Sequence, residues 1–259
     1  MHEINAIFTI AYRDFTKLLR DRSRMLFSLI FPIIFIGVLG GSLQSNLSGA
    51  AGYNFLSFIF AGVLGQTLFQ STGSGVISLI EDRENDFSQE IFVSPISRYS
   101  IIVGKILGES LVALTQLIGI VGFGLIIGVP IDFLGLVRLV PFFLIACLFG
   151  GSFGIFVLSN LKSQRSANQI FPFIMFPQFF LSGVFSPIKE LPPVLYVLSR
   201  IAPMTYVVDL IRSVYFWGDP AYSKVVLFST GFDLLIVGLY SLVFIVAGTY
   251  FFIRNEKNR

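Results

Sequence analysis

Residues 136–160 read LVRLVPFFLIACLFGGSFGIFVLSN, a run in which Arg138 is the single charge. An α-helix needs roughly 20 mainly apolar residues to cross the hydrocarbon core of a bilayer. This run is long enough to span, and too apolar to lie in water. Five other stretches have the same character: residues 25–41, 55–80, 101–129, 170–185 and 234–253. Gly and Ser in the second stretch, and Pro172 and Pro177 in the fifth, are expected to kink or shorten their helices. The whole chain agrees with this reading. Its 259 residues are 54% hydrophobic and 13% charged, against about 25% charged in a soluble domain. It also carries 24 Gly, a residue more frequent in membrane helices than in soluble ones. The expected fold is an all-α membrane protein with six transmembrane helices.

The first stretch follows basic residues, as a signal peptide does. Residues 1–24 are long for a signal n-region, however, and no A-x-A cleavage site follows, so a retained helix is expected. With the N-terminus inside and all six stretches crossing, 13 of the 18 Lys and Arg fall inside. The positive-inside rule then places both termini in the cytoplasm. Ile4, Ile7, Phe8, Ala11, Phe15, Leu18 and Leu19 recur at helical spacing, with Arg13, Lys17, Arg20 and Arg24 mainly off that stripe. Residues 1–24 therefore read as an amphipathic interfacial helix ahead of the membrane domain, residues 25–259. It serves either as a topogenic anchor or as an element that passes on force.

Two connections carry more sequence than a simple joint needs. Residues 81–98, EDRENDFSQEIFVSPISR, place five acids in their first ten positions, then Ile91, Phe92 and Pro95. This form suits a short surface helix that offers charge and a few apolar anchors to a partner; a solvated acidic loop is the other reading. Residues 186–230 contain Pro187, Pro192, Pro193 and Pro203, then an apolar, aromatic segment up to Trp217. That segment is too apolar for a free loop and too interrupted for two clean spans. Irregular backbone at membrane depth must be buried in protein or line a cavity, so short re-entrant helices are expected in the outer leaflet.

The catalytic inventory is thin. G-x-x-x-x-G-K-[ST], H-E-x-x-H and G-x-S-x-G do not occur, so no nucleotide, zinc-protease or serine-hydrolase motif is present. Cys147 and His2 are each single, which excludes an internal disulfide and a histidine metal cluster. Lys105 and Glu109 are expected to pair across one helical turn, and Asp132, Arg138 and Asp233 to be solvated at outer boundaries. Gln66, Gln70 and Gln116 sit inside the apolar runs, where they line a path or bind helices together. A stand-alone carrier driven by an ion gradient would need ionisable groups across the midplane, and no such chain of carboxylates is visible.

Two segments carry a resemblance. One is Glu81-Asp82-Arg83-Glu84, then Glu90, then Pro95-Ile96-Ser97-Arg98. The other is Ser182-Gly183-Val184-Phe185-Ser186-Pro187 with Pro203-Met204-Thr205-Tyr206-Val207-Val208-Asp209-Leu210-Ile211-Arg212. The first is similar to the acidic loop of the ABC-2 type permeases, membrane subunits of bacterial ATP-binding-cassette exporters of the drug and polysaccharide kind. Ser88-Gln89 departs from that family's usual Gly-Thr. The second resembles the family's S-G-x-x-(F/Y)-P and P-(L/M)-(T/S)-Y-x-x-(D/E)-x-x-R elements, with Ala202 where Asn is commoner.

The resemblance implies a permease of the bacterial inner membrane that moves a drug-like, lipid-linked or polysaccharide substrate outward. It implies partners: ABC ATPase subunits, a second permease copy, the lipid bilayer and the substrate, with no nucleic acid. ATP and Mg would belong to the ATPase, with no cofactor in this chain. Glu81, Asp82, Arg83, Glu84, Glu90, Ile91, Phe92 and Pro95 would form the ATPase-coupling loop. Pro187, Pro203, Tyr206, Asp209 and Arg212 would shape an external gate, with Asp209 and Arg212 spaced to pair on a helix.

Overall fold

The computed structural model describes residues 2–84, 97–161 and 163–257. The described residues are helical, with no strand among them. Helix α1 is His2–Arg20. A nearly continuous rod follows: α2, Arg22–Ile34, a π-helical turn, Phe35–Gly40, and α3, Gly41–Ala51. Pro32 lies just ahead of the π turn. A proline removes one helical N–H and crowds the preceding turn, so a widened turn beside it has a local cause.

Helix α4, Phe55–Gly75, starts where the Asn54 carboxamide accepts from Ser57 N at 2.9 Å. Val76 joins it to α5, Ile77–Glu84. The remaining long helices are α6, Arg98–Ile126, α7, Phe133–Leu158, and α8, Gln164–Leu181. Side chains of Ser97, Asp132 and Ser163 cap their first turns, satisfying N–H groups that have no partner inside the helix. Beyond α8 come α9, Pro193–Ile201, and α10, Pro203–Tyr215, bent 89° at their junction. A four-residue turn, α11, Tyr222–Val225, leads to α12, Thr230–Lys257.

Among the described residues, five helices are long and apolar enough to cross a membrane, or six if the bent α9–α10 pair is one span. The chain is an all-α membrane protein. The first long apolar helix runs over Met25–Asn46, beyond the stretch 25–41. Helix α8, which carries most of the stretch 170–185, is not among the five. It opens with Gln164, Arg165, Ser166, Asn168 and Gln169, contains Pro172 and Pro177, and ends before a turn at Gly183 with φ of 75°. Large apolar side chains face outward along the bundle, including Ile118, Phe133, Phe173, Leu242 and Val246. Such a surface suits contact with lipid.

Helix α4 is the hub. It is buried along most of its length, from Phe55 to Gly75. It packs on α6, α7 and α10. Glycines make these approaches close. A Cβ on Gly65 would meet the Val207 carbonyl of α10 at 3.2 Å, and one on Gly73 would meet the Gly150 carbonyl of α7 at 3.0 Å. A Cβ on Gly154 would run into the backbone of Gly73. The backbones of α4 and α7 therefore cross with no side chain between them.

Gly154→Val must part these helices. It should cost about 1–3 kcal/mol, the usual scale of overpacking, and lower the melting temperature of the purified protein. Gly122→Val is the control, because a Cβ there meets nothing within 4 Å. Equal melting temperatures for the two variants would contradict the crossing.

Candidate functional site

Three places combine polar chemistry with burial, and α4–α5 reaches all of them. The first is an ionic network where α1, α5 and α6 meet. Helix α1 lies along α6. Gly104 and Gly108 permit this: Cβ atoms there would meet the Ile7 carbonyl at 3.0 Å and Ala11 Cα at 3.1 Å. The apolar stripe of α1 thus divides. Ala11 is buried on the α6 side, while Ile4, Phe8 and Leu19 face outward.

Asp14 follows on the inner side of α1 and is 6% exposed. Lys105 Nζ of α6 lies 2.9 Å from Asp14 Oδ2 and 3.1 Å from Asp82 Oδ2 of α5. Arg13 Nη2 lies 2.9 Å from Asp82 Oδ1, and Lys17 Nζ 3.3 Å from Glu81 Oε1. The expected Lys105–Glu109 pair does not describe this arrangement. The long lysine side chain turns to two carboxylates from other helices, and Glu109 accepts from the Ser78 hydroxyl at 3.2 Å. Ser97 N also donates to Glu3 at 3.0 Å. The Ser100 hydroxyl and then the Ser97 amide hold the Glu3 carboxyl below the usual carboxylate range. Helix α1 is therefore tied to both ends of the loop that begins at Glu81.

Of the loop residues, Glu81 and Asp82 belong to this network. Arg83 and Glu84 end α5. Glu90, Ile91, Phe92 and Pro95 lie outside the described residues.

The second place is a cavity of 330 Å³ among α2, α4, α6 and α8. Gln66, Thr67, Gln70, Ser71, Ser74 and Gln116 give it a polar wall. Phe27, Phe31 and Phe179 give it an aromatic one, and no lining side chain is charged. The structure brings Gln66, Gln70 and Gln116 together here. Gln66 is 1% exposed, and its Oε1 accepts no hydrogen bond among the described residues.

The third place is the bent hairpin at the other end of α4. Pro187 precedes a 3-10 turn, Ile188–Glu190, and Pro203 starts α10. The Tyr206 hydroxyl donates to the Arg200 carbonyl at 2.7 Å. Arg212 is 1% exposed. It donates to the Gly183 carbonyl at 2.9 Å, and its guanidinium sits 3.8 Å from the centre of the Phe58 ring. Gly62 is needed beside it, since a Cβ there would come within 2.8 Å of Nη2. Asp209 accepts from Leu227 N at 2.8 Å and Phe228 N at 2.7 Å. The spacing of Asp209 and Arg212 suggested a mutual pair; each instead holds backbone from a different segment, because that backbone would otherwise be buried without partners. Gln178 contributes too, accepting from Met204 N at 3.2 Å.

Sequence reasoning overlooked Asp14, Gln178 and the burial of Asp233, which is 0% exposed. Asp14 left one signal: it stands three residues after Ala11, on the inner face of an amphipathic helix.

A bundle of this kind, with a short helix at a loop junction and a bent hairpin opposite, is that of a polytopic membrane protein. The model of the ABC-2 type transporter family matches residues 5–216, and the chain belongs to that family. It is the membrane subunit type of ABC transporters. Among its relatives is a transport permease, ycf38, of Cyanophora paradoxa, 26% identical over 264 residues, covering 98% of this chain and 89% of the relative. Another, YbhR of Escherichia coli, carries the name multidrug ABC transporter permease. It is 29% identical over 143 residues, covering 54% of this chain and 38% of the relative.

Removing one member of a buried ion pair leaves the others uncompensated, at about 3–5 kcal/mol. Lys105→Met should therefore destabilise the purified protein strongly, and adding Asp14→Asn should restore part of the loss. Thermal melts of the two variants check this; an additive double variant would rule out the network.

Proposed function

We propose that this chain is the permease subunit of an exporter in a bacterial inner membrane, with both termini cytoplasmic. It pairs with a second permease copy and docks on separate ABC ATPase subunits, which carry ATP and Mg. The observation that carries this reading is the connectivity of α4–α5. One helical arm joins the acidic loop, the uncharged cavity and the hairpin.

The arm gives each part a task. The ATPase grips the loop that continues from Glu81 and Asp82, with Arg83, Glu84, Glu90, Ile91, Phe92 and Pro95 as its coupling residues. Nucleotide-driven movement of the loop is resisted by Lys105, Asp14 and Arg13, so α1 and α6 move with α5. The movement reaches α4, whose Gln66 and Gln70 face the cavity. It then reaches the hairpin, where Pro187, Pro203, Tyr206, Asp209 and Arg212 shape the exit. Amides and hydroxyls facing phenyl rings suit an uncharged substrate with an apolar body and hydrogen-bonding groups, such as a drug-like or glycan-bearing molecule. A carrier driven by an ion gradient would place charge along that wall.

Mild-detergent purification of the tagged chain from its native membrane should bring down a P-loop ATPase in stoichiometric amount. A chain that purifies alone in every mild detergent would contradict the assignment. Gln66→Leu with Gln70→Leu should leave that co-purification unchanged and lower export by about tenfold, the scale of one or two lost hydrogen bonds.

A further inference from the structure

Helix α4 does not run smoothly into α5. Residues 71–78 read STGSGVIS, and the α-helical ladder breaks at Val76. The Val76 N–H donates to the Ser74 carbonyl, and Leu79 N to the Val76 carbonyl at 2.9 Å. The Ser74 hydroxyl donates to the Ser71 carbonyl at 3.1 Å, and the Ser78 hydroxyl to that of Gly75. Glycines, and hydroxyls that bond the backbone, weaken and bend a helix. The arm from the acidic loop to the hairpin therefore contains a joint. A soft joint would absorb movement rather than pass it on.

Different helices hold the two sides of this joint. On the α4 side, Gly73 lies against the backbone of α7 at Gly150 and Gly154. On the α5 side, Asp82 bonds to Lys105 of α6 at 3.1 Å. Glu109 stands one helical turn beyond Lys105, as Ser78 stands one turn from Asp82, so α5 and α6 meet at two rungs. Glu109 is 3% exposed. Its carboxyl accepts from the Ser78 hydroxyl of α5 at 3.2 Å. It also lies against Gly75, the last residue of α4, so closely that a Cβ there would overlap Oε2, Cδ and Cγ. One side chain thus touches both halves of the arm. We propose that Glu109 is a positioning residue that splints the α4–α5 joint, so that the acidic loop and the hairpin move together.

Apolar packing alone does not give this stiffness. Val76, Leu79 and Ile80 face Ile155 and Leu158 of α7, but apolar contact has no direction and lets α5 swing. A carboxyl of fixed reach, bonded to Ser78 and seated on Gly75, restrains that swing. The splint rests on the geometry of the joint, and its consequence for transport rests on the export reading above.

The test uses the full chain in nanodiscs, with its ATPase for the transport measurement. Glu109→Ala should speed amide hydrogen exchange over residues 73–80 about fivefold, the scale of one lost hydrogen bond, and leave α10 as it is. Glu109→Gln keeps the length and an acceptor for Ser78, and should stay near wild type. In the assembled transporter, Glu109→Ala should hydrolyse ATP at the wild-type rate while export falls about fivefold. Unchanged exchange at the joint, equal quickening across α10, or Glu109→Gln as loose as Glu109→Ala would overturn the splint. Faster exchange with full export would overturn its part in transport. An ATPase that never co-purifies would remove the export reading, and the exchange data would still decide the splint. If Glu109→Ala fails to accumulate, Gly75→Ala decides. Its methyl displaces the carboxyl, so exchange at Ser78 and Leu79 should rise, and unchanged exchange would equally overturn the proposal.

Discussion

Helices in a bilayer gain little by burying apolar surface against each other, since lipid is as apolar as leucine. Tight association must come from close packing and from polar contacts between helices. In this protein the constraint falls on α4. Its glycines bring the backbones of α7 and α10 nearly into contact, so the helix is fixed along its length with little room to slide. The ionic network, the polar cavity and the hairpin contacts are all arranged with respect to that helix.

At one end, α5 prolongs α4 and is locked to α1 and α6 by Lys105, Arg13, Asp14 and Asp82. Such groups are costly to bury unless each meets a partner. Once paired, they specify one geometry for the start of the acidic loop. At the other end, Arg212 and Asp209 spend their charges on backbone groups of the hairpin. Between the two ends lies the uncharged cavity. Charge is thus confined to the joints, while the middle of the bundle keeps amides and hydroxyls.

Much of this was legible in the sequence, and the failures have physical reasons. Apolar length announces a spanning helix directly, and proline spacing marked the hairpin. Gln66, Gln70 and Gln116 stood out as polar groups in apolar runs, and they do share one cavity. Pairing was harder to read. Sequence spacing offers Lys105 only Glu109, and Asp209 only Arg212, because it sees one helix at a time; the partners chosen lie on other segments of the chain. Asp233 was read as a solvated boundary residue. Position near a helix start says nothing of what folds over it, and here the hairpin buries it. The two halves of the second motif segment are one structure: Gly183, with positive φ, presents its carbonyl to Arg212.

The central claim is that the α4–α5 arm transmits movement from the acidic loop to the hairpin. It is tested most directly by spin labels at Val197, exposed on α9, and Leu242, exposed on α12, in the chain assembled with its ATPase. The account predicts that trapping the ATPase with a nucleotide analogue changes the distance between the labels. A distance that stays fixed while the same preparation hydrolyses ATP would contradict it.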